Sequence, residues 1–255
     1  MTDRNASTYH ELNHLVQKKT FDNLVTRLGV KAGDDCLDIG CGTGNLTSSL
    51  INVVGKNGSV LGIDPDEHRI AKAKQQYGGL SNISLSYASN LSGISKCFDV
   101  AIANHVTHWM TDKVKMETFQ VVFQMLKPGG VFGVFSLLSV SENVKQIYRY
   151  VPDNGNARKL MNCEYSSLKN YKKIFITCGF EIIYATESNE FDCFDSLETY
   201  LRWMNASAGG DVEDIYMQHK DDILFEKSSD GKYKHPAHSV CIIGKKPLQA
   251  KQKSR

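Results

Sequence analysis

The run Asp38-Ile39-Gly40-Cys41-Gly42-Thr43-Gly44-Asn45 constrains this chain more than any other stretch. An apolar segment, residues 35–39, leads straight into three glycines at alternate positions, and a helix-compatible segment, 46–54, follows. That order spells a buried strand, a tight turn and a helix N-terminus. Glycine has no Cβ, so the chain can turn sharply there and a ligand can come close to the backbone. The turn is expected to lie against a cofactor.

The spacing separates two kinds of cofactor. A dinucleotide fingerprint reads G-x-G-x-x-G, with a pyrophosphate on the helix N-terminus. Here Asn45 and Thr47 occupy the third glycine slot, counted from Gly40 and Gly42 respectively. An acid, Asp38, stands just before the glycines, where it would repel a pyrophosphate and attract a cation. S-adenosylmethionine, with an ammonium and a sulfonium, suits that arrangement better than NAD. A second acid, Asp64, ends the next strand-like run, 59–64, twenty residues past Gly44. At that place an acid can accept hydrogen bonds from ribose hydroxyls. Pro65-Asp66-Glu67 then opens a helix, with acids at its positive end.

Strand-like runs near 35–39, 59–63, 83–87 and 98–103 alternate with helical segments 44–54, 66–77 and 112–126. Lys127-Pro128-Gly129-Gly130 reads as a turn and 131–136 as a fifth strand. A helix over 167–178, capped by Gly179, precedes two closing strands, 180–185 and 239–244. The alternation predicts an α/β fold: a doubly wound, mostly parallel seven-stranded sheet covered on both faces. Ligands of such sheets sit beyond the carboxyl ends of the strands. An N-terminal helix within 1–28 and two insertions, 139–166 and 192–236, are the natural material for helical lids there. The second insertion carries Leu197, Tyr200, Leu201 and Met204 at helical spacing.

At 255 residues the chain can bury one substantial core, so one domain over 1–246 is expected. A net charge of +2 exerts no general pull toward nucleic acid or membrane, and no stretch is apolar enough to span a bilayer. Residues 247–255 form a basic tail expected to be disordered. Seven cysteines without a C-x-x-C, and no apolar N-terminal segment, read as reduced thiols in a cytoplasmic protein.

Four motifs, LDIGCGTGNLT at 37–47, LGIDPDEHRIAKAK at 61–74, FDVAIANHVTHWM at 98–110 and MLKPGGVFGVFS at 125–136, together resemble the class I S-adenosylmethionine-dependent methyltransferases. The resemblance spans residues 10 to 245. It implies a Rossmann-like sheet whose last two strands form an antiparallel hairpin at the edge. It also implies that Asp38 orients the cofactor's amino group. Gly40, Cys41, Gly42 and Gly44 would admit the methionine part, and Asp64 would hold the ribose. Pro65, Ser89 and Asn90 would lie near the adenine, with Asn104 at the cofactor as well. Ser89 replaces an acid that is common at that place, which leaves adenine contact to the backbone or to Asn90.

Methyl transfer from a sulfonium is an in-line displacement, so the protein must mainly align the acceptor and exclude water. A general base is needed only when the acceptor carries a proton. The run 103–112 lacks the Asn-Pro-Pro-aromatic signature of amide and base methylation, and it lacks a Pro-Cys nucleophile. Its His108-Trp109 pair, with Asp112 soon after, resembles the juvenile hormone acid and trans-aconitate methyltransferases, which act on small carboxylic acids. Tyr9, Asn13 and Gln17, on one helix face, resemble the Tyr…Asn…Gln opening of the juvenile hormone enzymes. The step from Asn13 to Gln17 is longer here.

Gln17, His108 and Trp109 are therefore expected to line an acceptor pocket, although Trp109 also reads as a core aromatic. His105 and His108 are the candidate bases should the acceptor be an amine, phenol or carbon. A regulatory protein that binds S-adenosylmethionine without turnover is a further alternative. His105-x-x-His108 and His235-x-x-His238 lack a third ligand, so no metal is expected. Neither is an obligate protein partner.

Overall fold

Runs buried on both faces build the centre of the sheet, as parallel strands require. The computed structural model of the chain describes residues 3–12, 14–87, 91, 95–151, 161, 163–208 and 211–248. Strands β1 (Asp35–Ile39), β2 (Ser59–Asp64), β3 (Ile83–Tyr87), β4 (Phe98–Asn104) and β5 (Leu126–Leu137) pair in parallel, and β6 (Glu181–Phe194) and β7 (Tyr233–Lys245) close the sheet antiparallel. The order is β3-β2-β1-β4-β5-β7-β6. It reverses direction between β1 and β4, the place where an open sheet of this kind offers a crevice.

Helices α1 (Asp3–Leu12) and α2 (His14–Leu28) precede β1. They are followed by α3 (Asn45–Val54), α4 (Glu67–Tyr77), α5 (Asp112–Met125) and α6 (Glu142–Tyr148), then α7 (Leu168–Cys178), α8 (Leu197–Ala208) and α9 (Val212–Gln218). Side-chain caps fix several starts. Asp66 accepts from the Arg69 N–H, Thr111 from Val114, Ser141 from Val144 and Ser167 from Asn170. Leu24, Leu28, Leu50 and Val54 pack one sheet face against Val60, Val100 and Ile102. Phe119, Phe132, Phe175 and Phe180 fill the other. A further apolar cluster joins Leu12, Val16, Ile147, Phe194, Tyr200, Trp203 and Met204, which welds α1, α2, α6 and α8 to the far end of the hairpin.

Three expectations need correction. The Lys127–Gly130 segment does not interrupt the sheet. β5 runs through it, and residues 127–130 bulge opposite the single Asp99, with Gly129 left-handed at φ 81°. The closing strands are 14 and 13 residues long, well beyond 180–185 and 239–244. Main-chain pairing from Glu181 to Phe194 holds the extra length although its side chains are largely exposed. The second insertion therefore shrinks from 192–236 to 195–232. The N-terminal helix expected over 8–28 is two helices, with Asn13, and with it part of the expected Tyr9-Asn13-Gln17 face, outside the described residues.

Candidate functional site

The glycine loop leaves β1 and folds back over β2. Gly40 and Cys41 both donate their N–H to the Ile63 carbonyl, at 2.8 and 2.9 Å. Gly40 has φ 74°, and a Cβ there would stand 2.4 Å from Val106 Cγ2. Only glycine lets the β1 loop and the segment after β4 approach so closely. Gly42 N–H donates to Asp64 Oδ2 at 3.0 Å, which locks the loop to the end of β2. Gly44, at φ 80°, starts α3 against Ala73 and Tyr77.

Two buried carboxylates face this loop. Asp38 is 3% exposed, and its one hydrogen-bond partner among the described residues is the Thr47 hydroxyl, at 2.7 Å. Burial, opposed by Thr47 and reinforced by Asp64, pushes its carboxyl up to about 6. Burial raises Asp64 as well, against the opposing charge of Arg69. The helix cap is Asp66; Asp64 instead accepts N–H bonds from Gly42 and Asp66, one on each oxygen. Each oxygen keeps a lone pair for a further donor.

A recess of about 320 Å³ is lined by Asp38, Gly40, Cys41, Gly42, Thr43, Asn45 and Asn104, with Tyr9, Gln17, Phe21 and Leu46 opposite. A larger cleft of about 850 Å³ shares Tyr9, Gln17, Gly40 and Asn104 with it, so the two are joined. The cleft continues past Asp64, Arg69, His105, Val106, His108 and Trp109 to Leu137, Val140, Val144, Tyr165, Trp203, Met204, Ser207 and His235. The N-terminal helix α1 is latched over the loop. His10 Nδ1 lies 3.1 Å from Thr43 Oγ1, and the Arg69 guanidinium covers the Tyr9 ring at 4.4 Å. Gln17 Nε2 donates to Tyr9 Oη at 3.1 Å.

His105 and His108 are neutral. Burial pushes His105 down to about 4. It pushes His108 to about 3, helped by the nearby His105 and Lys115. His105 adopts φ 56°, the non-glycine residue with positive φ among those described, and its Nε2 meets Thr20 Oγ1 at 3.2 Å. His108 Nδ1 meets Ser136 Oγ at 3.2 Å, and its ring stacks near Trp109 and Tyr165. Trp109 is 43% exposed along the cleft, so it is not a core aromatic.

Pro65 is exposed beyond the lining, and Ser89 and Asn90 lie outside the described residues. Asp112 does not reach the cleft. It holds the fully buried Lys115 ammonium at 2.9 Å and accepts from Ser166 and Asn170. His235 bonds Tyr200 while His238 meets Glu187, so those two histidines do not converge. Among the described residues no group of three or more His, Cys, Asp or Glu is placed to hold a metal ion, and no helix is long and apolar enough to cross a membrane.

Sequence reasoning missed Arg69, Tyr165, Trp203 and Ser207. Arg69 lies inside a quoted motif, one turn past an acid, and Trp203 lies in the run Tyr200-Leu201-Arg202-Trp203-Met204, which resembles the tail of the same carboxyl methyltransferases, but Tyr165 and Ser207 sit in the insertions without a motif. The heptad-like spacing there marks the packed face of α8 and says nothing of the cleft.

A family model described as a methyltransferase domain matches residues 30–192. The chain belongs to the methyltransferase-domain family. The buried Asp38 carboxylate, bonded among the described residues to the Thr47 hydroxyl, stands beside a bare backbone loop and fits a cationic cofactor such as S-adenosylmethionine. The chain is 32% identical over 132 residues to the demethylmenaquinone methyltransferase of Staphylococcus saprophyticus, covering 49% of the chain and 56% of that protein. It spans less than two thirds of the length of three such relatives, at 56%, 60% and 57%. Its fold matches the YcgJ protein of Bacillus subtilis with TM-score 0.63 at 17% identity, over 90% of this chain and 99% of that one. It also matches phosphoethanolamine N-methyltransferase 2 of Haemonchus contortus, solved in complex with S-adenosyl-L-methionine. That match has TM-score 0.62 at 16% identity, over 96% of the methyltransferase and 57% of its counterpart.

Proposed function

We propose that this chain methylates a carboxylate oxygen of a small molecule, in the manner of the juvenile hormone acid and trans-aconitate methyltransferases. The observation that carries the proposal is the weak basicity that burial imposes on the cleft histidines His105 and His108. When bound, S-adenosylmethionine supplies a methyl group already activated on a sulfonium. What the chain must add is an aligned, dry acceptor. An amine or phenol near pKa 10 would have to give its proton to a histidine near 4 or 3. At six units that transfer runs uphill by about 8 kcal/mol. A carboxylate arrives without a proton and needs no base.

In this reading Asp38 takes the cofactor's ammonium, Gly40, Cys41, Gly42 and Gly44 its methionine backbone, and Asp64 its ribose. Pro65 stands toward the adenine, and Asn104 marks the junction with the acceptor cleft. Gln17, His108 and Trp109 line the acceptor's reacting end, and Arg69 supplies the cation of the cleft wall. The same reading takes residues 1–246 as one methyltransferase domain. The described parts of 1–28, 139–166 and 192–236 close over the cleft and exclude water, supported by the α1 latch on Thr43 and Arg69.

The test is a screen of small carboxylic acids, amines and phenols with methyl-labelled cofactor. A product that releases labelled methanol in mild alkali, formed at a rate flat between about pH 6.5 and 9, is expected. An alkali-stable product, or a rate that tracks a histidine or amine titration, overturns it.

A further inference from the structure

His105, the first residue after β4, gives carboxylate methylation no proton transfer, yet the protein constrains it closely. It holds a left-handed backbone at φ 56°. Such a conformation persists in a non-glycine residue where the surroundings impose it. Its N–H donates to the Phe135 carbonyl at 2.8 Å, and its ring lies 5.0 Å from the Phe135 ring. Its Nε2 meets Thr20 Oγ1 at 3.2 Å. The ring lines the cleft directly after Asn104, one of the residues that the cofactor recess and the cleft share.

The bonding around Thr20 fixes the tautomer of that ring. Thr20 Oγ1 lies 2.9 Å from the Gln17 carbonyl oxygen, and two oxygens that close need a hydrogen between them. The carbonyl has none, so the Thr20 hydroxyl supplies it. A second oxygen, Asn104 Oδ1, lies 3.4 Å from the same hydroxyl and could take that proton only in place of the carbonyl. Either way Thr20 Oγ1 turns a lone pair toward His105, and Nε2 must carry the hydrogen and donate it. In a neutral imidazole the other nitrogen is then bare. Burial keeps the ring neutral, and no described residue donates a hydrogen bond to its Nδ1.

Nδ1 is therefore a hydrogen-bond acceptor without a donor, on a ring in the cleft wall at the reacting end. It cannot bond the carboxylate of the acceptor molecule, because that group also only accepts. What fits it is an O–H or N–H elsewhere on the same molecule. An ammonium is excluded, since no described carboxylate bonds this ring and a cation buried against it would go uncompensated. A hydroxyl is a neutral donor of the right kind. A ring at about 4 cannot take the proton of an alcohol, so the hydroxyl is held and not activated as a nucleophile.

We infer that His105 Nδ1, oriented by Thr20, accepts a hydrogen bond from a hydroxyl within two carbons of the acceptor's carboxylate, so that 2-hydroxy or 3-hydroxy acids are preferred to plain acids. His105 is then a specificity determinant, and Thr20 is a positioning residue that acts through it. The inference names the acceptor class and rests on the carboxylate reading above.

The chain has two tryptophans, and both line the cleft, so intrinsic fluorescence reads binding without turnover. With S-adenosylhomocysteine present, straight-chain alkanoic acids are titrated beside their 2-hydroxy, 3-hydroxy and methoxy counterparts. The expected result is about fivefold tighter binding of one hydroxy series and no gain for the methoxy acids, which lack the donor. Thr20→Val removes the oxygen that holds the Nε2 hydrogen and lets the ring carry its proton on Nδ1, so it should erase most of the preference. Thr20→Ser should keep it. A merely structural Thr20 would weaken plain and hydroxy acids alike and leave their ratio intact. Nitrogen-15 spectra of the unaltered protein should show the His105 proton on Nε2, its signals being identified by their loss in His105→Asn. Four results overturn the inference: a proton on Nδ1, no hydroxyl preference (including no response to any acid), an equal gain for the methoxy acids, and a preference that survives Thr20→Val. If the preference appears but the labelled product is stable to alkali, the carboxylate reading fails and the hydroxyl contact stands.

Discussion

Replacing Asp38 by Asn should make the free protein more stable while it destroys cofactor binding. Asp38 is buried with one hydroxyl partner, and its carboxyl sits at about 6 in place of the ordinary 3.8. The folded pKa of this acid is raised, so its ionised form penalises folding. The penalty is complete above pH 6 and fades as pH falls toward 4. Two units correspond to about 3 kcal/mol at pH 7.5, falling to roughly half that at pH 5. Asn keeps the shape, still accepts the Thr47 hydroxyl and carries no charge to desolvate. At about 2 °C per kcal/mol for a chain of this size, the melting temperature without ligand should rise by about 5 °C at pH 7.5 and by less at pH 5. Loss of a charge-assisted bond to the ammonium should weaken S-adenosylmethionine and S-adenosylhomocysteine about 10- to 100-fold. Thermal melts with and without each ligand, backed by calorimetry, measure both effects. A variant that melts lower than the parent, or binds the cofactor as tightly, refutes the electrostatic account of the loop.

The unaltered protein should bind S-adenosylmethionine about tenfold more weakly at pH 5 than at pH 7, because Asp38 is mostly protonated at the lower pH; calorimetry checks this, and Asp38→Asn should flatten the profile. Gly40→Ala places a Cβ 2.4 Å from Val106 at φ 74° and should cost about 2–4 kcal/mol in denaturant unfolding. Val106→Ala in the same chain should recover less than half, since the Val106 Cβ itself lies 2.7 Å away. Lys115→Met removes a fully buried ammonium bonded to Asp112, the Glu164 carbonyl and Ser166, and should cost about 2 kcal/mol with cofactor affinity unchanged in the same calorimetric assay.

The parallel half of the fold was legible because its signals are local. β1, β2 and β4 are apolar runs that end at Gly40, Asp64 and Asn104, and Asp66, Thr111 and Ser167 cap the starts of α4, α5 and α7. The outer half of the hairpin was not legible. Thr186 to Phe194 is a polar edge segment, and what makes it a strand is its pairing with β7, a partner some fifty residues away. The Lys127–Gly130 segment reads locally as a turn, and Gly129 is left-handed, yet β5 runs through it. What the sequence does not display is that Leu126 and Val131 pair with β4 on either side of it.

The same contrast runs through the site, and it has a physical origin. The cofactor recess is made largely by one loop, so its carboxylate and glycines are contiguous and their spacing carries the meaning. The acceptor cleft draws single side chains from α2, the segment after β4, α6, α8 and β7. Tryptophan and serine are ordinary residues until the fold sets the unpaired donors of Trp203 and Ser207 on one wall. Charge is divided along the same line. The end of the site at the glycine loop buries Asp38 and Asp64, whereas the far wall of the cleft presents neutral N–H and O–H groups. A buried charge must be answered by a cation and so announces its ligand in the sequence. A neutral donor can be satisfied by any oxygen, and only geometry tells which one.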